Sequence, residues 1–327
     1  MKIIERKFLD VKTSTCHAST LALYHDKLVF AWFGGTREGA PDSSIYIQCN
    51  DRVFKMEHAD QLPRWNPILF VHNDQLYLFV KLGIFCDRWQ TLIYNISGIL
   101  DVDFEMAKVK FQVLPAGLNG PVKTKPVVDD KGVIHCGSSV ETVMDWTSYI
   151  EGYKIKKGQF VFQYRSDPLT VPKITYTDSF YGKRQTVGII QPSLWFDSKG
   201  ILNAFFRSSR GLGKIYHSVK ERNSWTDPSP TDFDNPNSGI DTVYCSKNLY
   251  LVYNPSTVVR SPLVIVQLKD SFKIAEDITV TSTEEIEAAS GLYSKELSYP
   301  YMIEDDSKLY LTYTYGRSKI EFVTVGI

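Results

Sequence analysis

The sequence predicts an all-β fold built from six repeats of about four strands around one axis, a six-bladed β-propeller. Three observations predict it. Aromatic and β-branched residues cluster in short runs such as Leu28-Val29-Phe30-Ala31-Trp32-Phe33, Leu76-Tyr77-Leu78-Phe79-Val80 and Leu309-Tyr310-Leu311-Thr312-Tyr313, each bounded by turn-forming or charged residues, as strands are. Long helical periodicity is nearly absent, and Thr283–Ser290 is the one helical candidate, short enough to be a turn within a loop. A polar turn followed by a strand recurs six times along the chain.

The six turns are His25-Asp26-Lys27-Leu28, Asn73-Asp74-Gln75-Leu76, Asp130-Lys131-Gly132-Val133, Ser198-Lys199-Gly200-Ile201, Ser246-Lys247-Asn248-Leu249 and Asp306-Ser307-Lys308-Leu309. They lie about 56 residues apart on average, the length of one four-stranded blade, and six blades nearly fill the 327 residues. A strand precedes each turn, starting near His17, Asn66-Pro67, Lys125-Pro126, Gln191-Pro192, Ser238 and Tyr299-Pro300. Proline suits a first strand position because that residue need not donate to the ladder. The last repeat has room for only three strands after Tyr299, so Ile3–Leu9 is expected to supply its outer strand. On this reading residues 1–327 form a single propeller domain.

Composition narrows the function. Lys plus Arg and Asp plus Glu are both 37, giving a formal net charge of +0, so a general nucleic-acid partner is not expected. The five cysteines form no CxxC pair and read as free thiols in a reducing compartment. No window approaches 18 apolar residues, so no membrane span is expected. The first residues lack the apolar core of a signal peptide, which leads us to expect a cytoplasmic or phage-borne protein.

In a propeller the inner strands start around one end of the channel. His17, Asn66, Lys125, Gln191, Asn237 with Ser238, and Tyr299 should therefore converge, and all are polar. Second strands return to the same face and end at Arg37-Glu38 with Asp42, Lys81, Ser139 with Glu141, Arg207-Ser208, Asn254, and Tyr315 with Arg317. Three arginines and two lysines would then focus positive potential in a neutral protein. The guanidinium fork matches carboxylate, so the expected ligand is an acidic sugar, with aromatic side chains lining its site.

These residues resemble a family. Cys16-His17-Ala18-Ser19-Thr20, Phe33-Gly34-Gly35-Thr36-Arg37-Glu38-Gly39 with Asp42, Gly120-Pro121-Val122-Lys123, Ser138-Ser139-Val140-Glu141, Gln191-Pro192-Ser193-Leu194-Trp195, Asn235-Pro236-Asn237-Ser238-Gly239-Ile240-Asp241 and Ser298-Tyr299-Pro300 look like the sialidase-like BNR-repeat proteins, in order over nearly the whole chain. The family's Asp-box is barely kept: Ser218 to Trp225 preserves its spacing, Ser and Trp, while Lys220 and Arg222 replace its Asp and Gly. The resemblance implies a sialidase-like propeller and a hydrolase that releases a terminal acidic sugar. Tyr299 would be the nucleophile, Glu141 its base, Asp42 the acid/base, and Arg37, Arg207 and Arg317 the carboxylate clamp. A tyrosine nucleophile avoids the repulsion that a carboxylate would meet from an anionic substrate.

The family's Arg-Ile-Pro motif is absent, and Cys16-His17 stands in that stretch. Related propellers that cleave uronate polysaccharides by elimination offer a second reading, with His17 as base and Tyr299 as acid. A third is a glycan-binding propeller without catalysis, such as a phage receptor-binding component. Asn66, Lys81, Lys125, Gln191, Asn237, Ser238 and Tyr315 complete the expected binding set. Trp65 and Trp195 can stack on sugars or pack between blades, and packing is favoured. Lys123 reads as a solvated loop charge, and Glu304-Asp305-Asp306 as a solvated turn. No metal site or cofactor is expected.

Overall fold

The computed structural model describes residues 1–58, 60–282 and 295–327; Thr283–Ser290 lies outside them. The chain forms a six-bladed β-propeller. Blade 1 comprises Thr15–Tyr24, Lys27–Gly35, Ser44–Cys49 and Arg52–Lys55, from the axis outwards. Blade 2 comprises Arg64–His72, Gln75–Leu82, Gln90–Asn95 and Phe111–Val113. Blade 3 comprises Val127–Val128, Ile134–Glu141, Trp146–Lys156 and Gln159–Arg165. In blade 4, Ile189–Phe196, Leu202–Ser208 and Lys214–Glu221 are followed by Ser229–Asp234. Blade 5 comprises Asp241–Cys245, Asn248–Tyr253, Leu263–Leu268 and Ile274–Thr281. Blade 6 comprises Leu297–Asp305, Lys308–Tyr315 and Lys319–Gly326, and Lys2–Phe8 pairs antiparallel with its third strand. A hairpin of Thr175–Asp178 and Gly182–Gln185 stands between blades 3 and 4.

Alternating apolar residues on both faces of each inner sheet explain the packing, because every blade is sandwiched between two others. Trp32, Phe79, Phe205, Tyr301 and Phe322 are fully buried between blades. Trp195 belongs to this packing, with its ring 4.7 Å from Phe205 and 6.0 Å from His217. Glu304 and Asp306 are exposed at the turn between the first two strands of blade 6, the end remote from the start of its inner strand.

The prolines sit elsewhere than the sequence suggests. Pro67, Pro192 and Pro300 are each the fourth residue of their strands, not the first. Register shifts fall at Trp65/Ile68, Ile190/Ser193 and Ser298/Tyr301, and blade 1 has a fourth between His17 and Thr20. These are β-bulges, which free the proline position from the ladder. The residue before each proline is left-handed: Asn66 at φ 36°, Gln191 at 55° and Tyr299 at 54°. Ala18 and Asn237 take the same conformation, at 51° and 61°. The recurring polar-proline pair thus marks a kink that re-aims one side chain per blade near the axis.

The blades are tied at the axis by Asp241, which is fully buried. Its Oδ2 accepts from Lys125 Nζ at 2.7 Å and from the Met302 amide at 2.8 Å. Its Oδ1 accepts from Ser193 Oγ at 3.0 Å and from the Thr242 amide at 2.9 Å. One carboxylate therefore joins blades 4, 5 and 6 to the segment that opens blade 3.

Candidate active site

The bulges and the second-strand ends meet where Tyr299 projects over the axis. Arg207, at the end of the second strand of blade 4, is 5 % exposed. Its Nη1 donates to the Tyr299 hydroxyl at 2.8 Å and to Gln191 Oε1 at 3.0 Å, and its Nε donates to Asn237 Oδ1 at 3.0 Å. Gln191 Nε2 also donates to the Tyr299 hydroxyl, at 3.2 Å. Among the described residues, all these partners of the buried guanidinium are neutral. A buried cation held only by neutral oxygens favours an anion beside it.

Glu141, at the end of the second strand of blade 3, reaches this group through Gln191. Burial raises its pKa, while Arg207, Ser139 and the Gln191 side chain oppose the rise. Gln191 therefore links the carboxylate to the phenol. It is an amide, without basicity of its own.

His17 packs against Tyr299, with ring centroids 4.1 Å apart. It is 2 % exposed, and neither ring nitrogen has a hydrogen-bond partner among the described residues. Burial, reinforced by Arg317, Arg260, Arg207 and Lys123, holds its pKa well below the ordinary histidine value. The imidazole is therefore neutral at physiological pH and has a free lone pair.

A second cationic group adjoins. Arg317 Nε donates to Glu296 Oε1 at 2.6 Å, and its Nη1 bonds Glu38. Arg260 bonds the same Glu296 carboxylate at 3.3 Å and the Asn237 carbonyl at 2.9 Å. Burial raises the Glu296 pKa, but Arg260 and Arg317 outweigh it and keep the carboxylate below its usual range. His17, Phe33, Arg37, Glu38, Glu296 and Arg317 line a cavity of about 390 Å³.

The structure thus brings together His17, Glu141, Gln191, Arg207, Asn237, Tyr299 and Arg317, with Arg37 exposed at the cavity rim. It places other expected residues away from this group. Lys81 is fully buried and donates to Thr91 Oγ1 at 2.9 Å and to the Asn119 carbonyl, so it faces blade packing. Tyr315 is buried against the Phe8 ring, 5.3 Å away. Lys125 is spent on Asp241 below the pocket. Asn66 Nδ2 donates to the Val122 carbonyl at 3.0 Å. Asp42 folds back on Thr36, accepting from its amide and hydroxyl at 2.9 Å each. Ser238 is buried, and its hydroxyl has no partner among the described residues. Trp65 is half-buried and donates to the Gly83 carbonyl at 2.7 Å.

Sequence reasoning missed Arg260, Glu296 and Lys123. Arg260 lies in the loop after the second strand of blade 5, and its signal was being the only cation between Tyr253 and Leu263. Lys123 is 1 % exposed, contrary to a solvated loop charge.

The BNR repeat-like domain matches residues 26–311 of the chain. The chain belongs to this family. No curated protein matches it. Among solved structures, a protein of unknown function from Dyadobacter fermentans superposes with a TM-score of 0.73 at 12% identity, covering 100% of this chain and 99% of that one. Trypanosoma rangeli sialidase in complex with sialic acid superposes with a TM-score of 0.59 at 10% identity over 99% of this chain and 57% of its own. This BNR-repeat chain therefore spans little more than half of that sialidase. A subtype N10 neuraminidase-like protein of A/little yellow-shouldered bat gives a TM-score of 0.57 at 8% identity, covering 100% and 99%. At these identities the likeness concerns the sialidase-type propeller fold.

Proposed function

We propose that this BNR-repeat protein is a sialidase-like glycoside hydrolase that releases a terminal acidic sugar. The observation that carries the reading is the buried Arg207, hydrogen-bonded among the described residues only to neutral groups, donating to the Tyr299 hydroxyl. A substrate carboxylate supplies an anion that bonds Arg207 directly, which Glu141 does not, with Arg37 and Arg317 lining the adjoining cavity. Tyr299 attacks the anomeric carbon and its proton passes to Glu141, whose raised pKa makes it the stronger base, once the intervening Gln191 amide gives way. Protonation of the leaving oxygen is assigned to Asp42, which must first leave the Thr36 amide and hydroxyl that hold it. Water, giving its proton to Asp42, then attacks the anomeric carbon, the Tyr299–sugar bond breaks, and the phenolate takes its proton back from Glu141. Asn237 and Gln191 fix the guanidinium and the phenol, and Asn66, Lys81, Lys125, Ser238 and Tyr315 act through the scaffold.

One observation favours a second reading. The neutral His17, packed against Tyr299 with its ring tilted 49° and without a hydrogen-bond partner among the described residues, is suited to removing the proton α to a uronate carboxylate, while Tyr299 protonates the departing oxygen. The test is product detection on fluorogenic sialosides and on uronate oligosaccharides, with wild type beside Tyr299→Phe and His17→Ala. Sialoside turnover lost in Tyr299→Phe and kept in His17→Ala supports the hydrolase. An ultraviolet-absorbing unsaturated product, lost in His17→Ala, replaces it with the lyase. Silence on both panels with retained sugar binding leaves a binding propeller.

A further inference from the structure

We propose that Lys123 is a positioning residue that clamps the Tyr299 bulge from beneath and sets where the phenol stands. The inference rests on the reading that Tyr299 is the working group of the site. Lys123 lies in the connection from blade 2 to blade 3, far from blade 6 in sequence, yet its Nζ donates to the Pro300 carbonyl at 2.9 Å. The same Nζ stands 5.6 Å from the Tyr299 ring centroid and 5.3 Å from that of Tyr301. It thus touches three consecutive residues, the three that make the kink.

The chemistry of the kink explains the need. Tyr299 is left-handed, and the ladder breaks between Ser298 and Tyr301. The bulge withdraws the Pro300 carbonyl from strand pairing, and a buried carbonyl needs a donor. An ammonium satisfies it and also attracts both aromatic faces. Without that contact the carbonyl loses its side-chain donor, and the left-handed residue can relax. The phenol would then leave the hydrogen bonds of Arg207 and Gln191.

The clamp also titrates. Burial, together with Lys125 and Arg207, lowers the Lys123 pKa to about 7 against the opposing pull of Asp241. The groups facing it are Tyr299, Tyr301, Lys125, Asp241, Arg207 and His17. Lys125 is paired with Asp241, and His17 titrates well below its ordinary value. Deprotonation of Lys123 removes the attraction to the rings, so the environment of Tyr299 changes as pH passes about 7.

The experiment is a pH titration of protein carrying 13Cζ-labelled tyrosine, followed by NMR, with the Tyr299 signal assigned from Tyr299→Phe. The clamp predicts a step in that signal near neutral pH, absent in Lys123→Met, and a fall of at least about tenfold in acidic-sugar affinity for that variant. A wild-type signal without a step overturns the inference, and so does a step unchanged in folded Lys123→Met. A variant that merely loses stability would not move the step. If Lys123→Met does not fold, Lys123→Arg, which keeps its charge through this range, takes its place, and a step that persists in it overturns the inference. A step seen in a wild type that binds no acidic sugar keeps the clamp and removes the functional reading instead.

Discussion

Arg207 on blade 4 donates to the hydroxyl of Tyr299 on blade 6 at 2.8 Å, and its guanidinium carbon stands 5.4 Å from the centroid of the same ring. Two blades separated by a third in the chain order therefore meet in one contact over the axis. The bond exists because a bulge turns Tyr299 out of its strand and Arg207 ends the second strand of its own blade. A buried guanidinium touching a phenol oxygen stabilises negative charge, whether on a ligand carboxylate or on the phenol itself.

Arg207→Lys keeps the charge but loses the fork that joins Tyr299, Gln191 and Asn237. Affinity for an acidic monosaccharide is expected to fall by about 1.5–3 kcal/mol, or roughly ten- to a hundredfold. Calorimetric titration checks this, and an unchanged affinity would place the carboxylate elsewhere.

Asp241 offers a stability test distinct from the pocket. Asp241→Asn leaves the buried Lys125 ammonium uncompensated, and a loss of about 3–5 kcal/mol is expected. Denaturant unfolding with Lys125→Met beside it reads the pair. The double variant should be more stable than Asp241→Asn alone, and equal instability of the two would show that charge pairing is not the cause.

Gly137 marks a close approach of blades 3 and 4. A Cβ there would stand 2.2 Å from the Pro192 carbonyl oxygen, which is backbone and cannot swing away. Gly137→Ala should cost about 1–3 kcal/mol and should disturb the Gln191-Pro192 bulge beside it. Thermal unfolding that shifts by less than a degree would contradict this.

Lys81 and Lys123 set a pH dependence of stability. Burial lowers both to about 7 in the folded protein from an ordinary value of 10.5. The unfolded chain binds more protons between these values, so stability is full above the unfolded pKa and is lost as pH falls towards 7. Each lysine contributes a slope of up to about 1.4 kcal/mol per pH unit. Calorimetry should give a higher Tm near pH 9 than near pH 7, and Lys81→Met should flatten the rise. A Tm that falls over this window would contradict the assignment.

The sequence made the repeat legible because each blade announces itself by a polar turn before an aromatic strand, and that local chemistry does not depend on the rest of the chain. It also made His17, Gln191, Arg207 and Tyr299 legible, since strand ends in a propeller converge by construction. The failures came from what local chemistry does not encode. Lys81 and Lys125 occupy the right strand positions, but their long side chains bond Asn119 and Asp241 inside the packing. Lys123 looked solvated because its partners, Tyr299, Pro300 and Tyr301, lie on the far side of the axis. Arg260 and Glu296 sit in connections whose course no strand pattern fixes. The prolines, read as strand starts, lie inside strands because bulges excuse the missing amide.

The central claim is that the buried cation at Tyr299 awaits a sugar carboxylate. The most direct test titrates N-acetylneuraminic acid, glucuronic acid and uncharged glucose into wild type and Arg207→Ala by calorimetry. The account predicts that at least one acid binds wild type, that glucose does not, and that Arg207→Ala loses the acid by tenfold or more, as expected for a lost charged hydrogen bond of about 1.5–3 kcal/mol. Glucose binding as well as the acids, or acid binding untouched by Arg207→Ala, would contradict it.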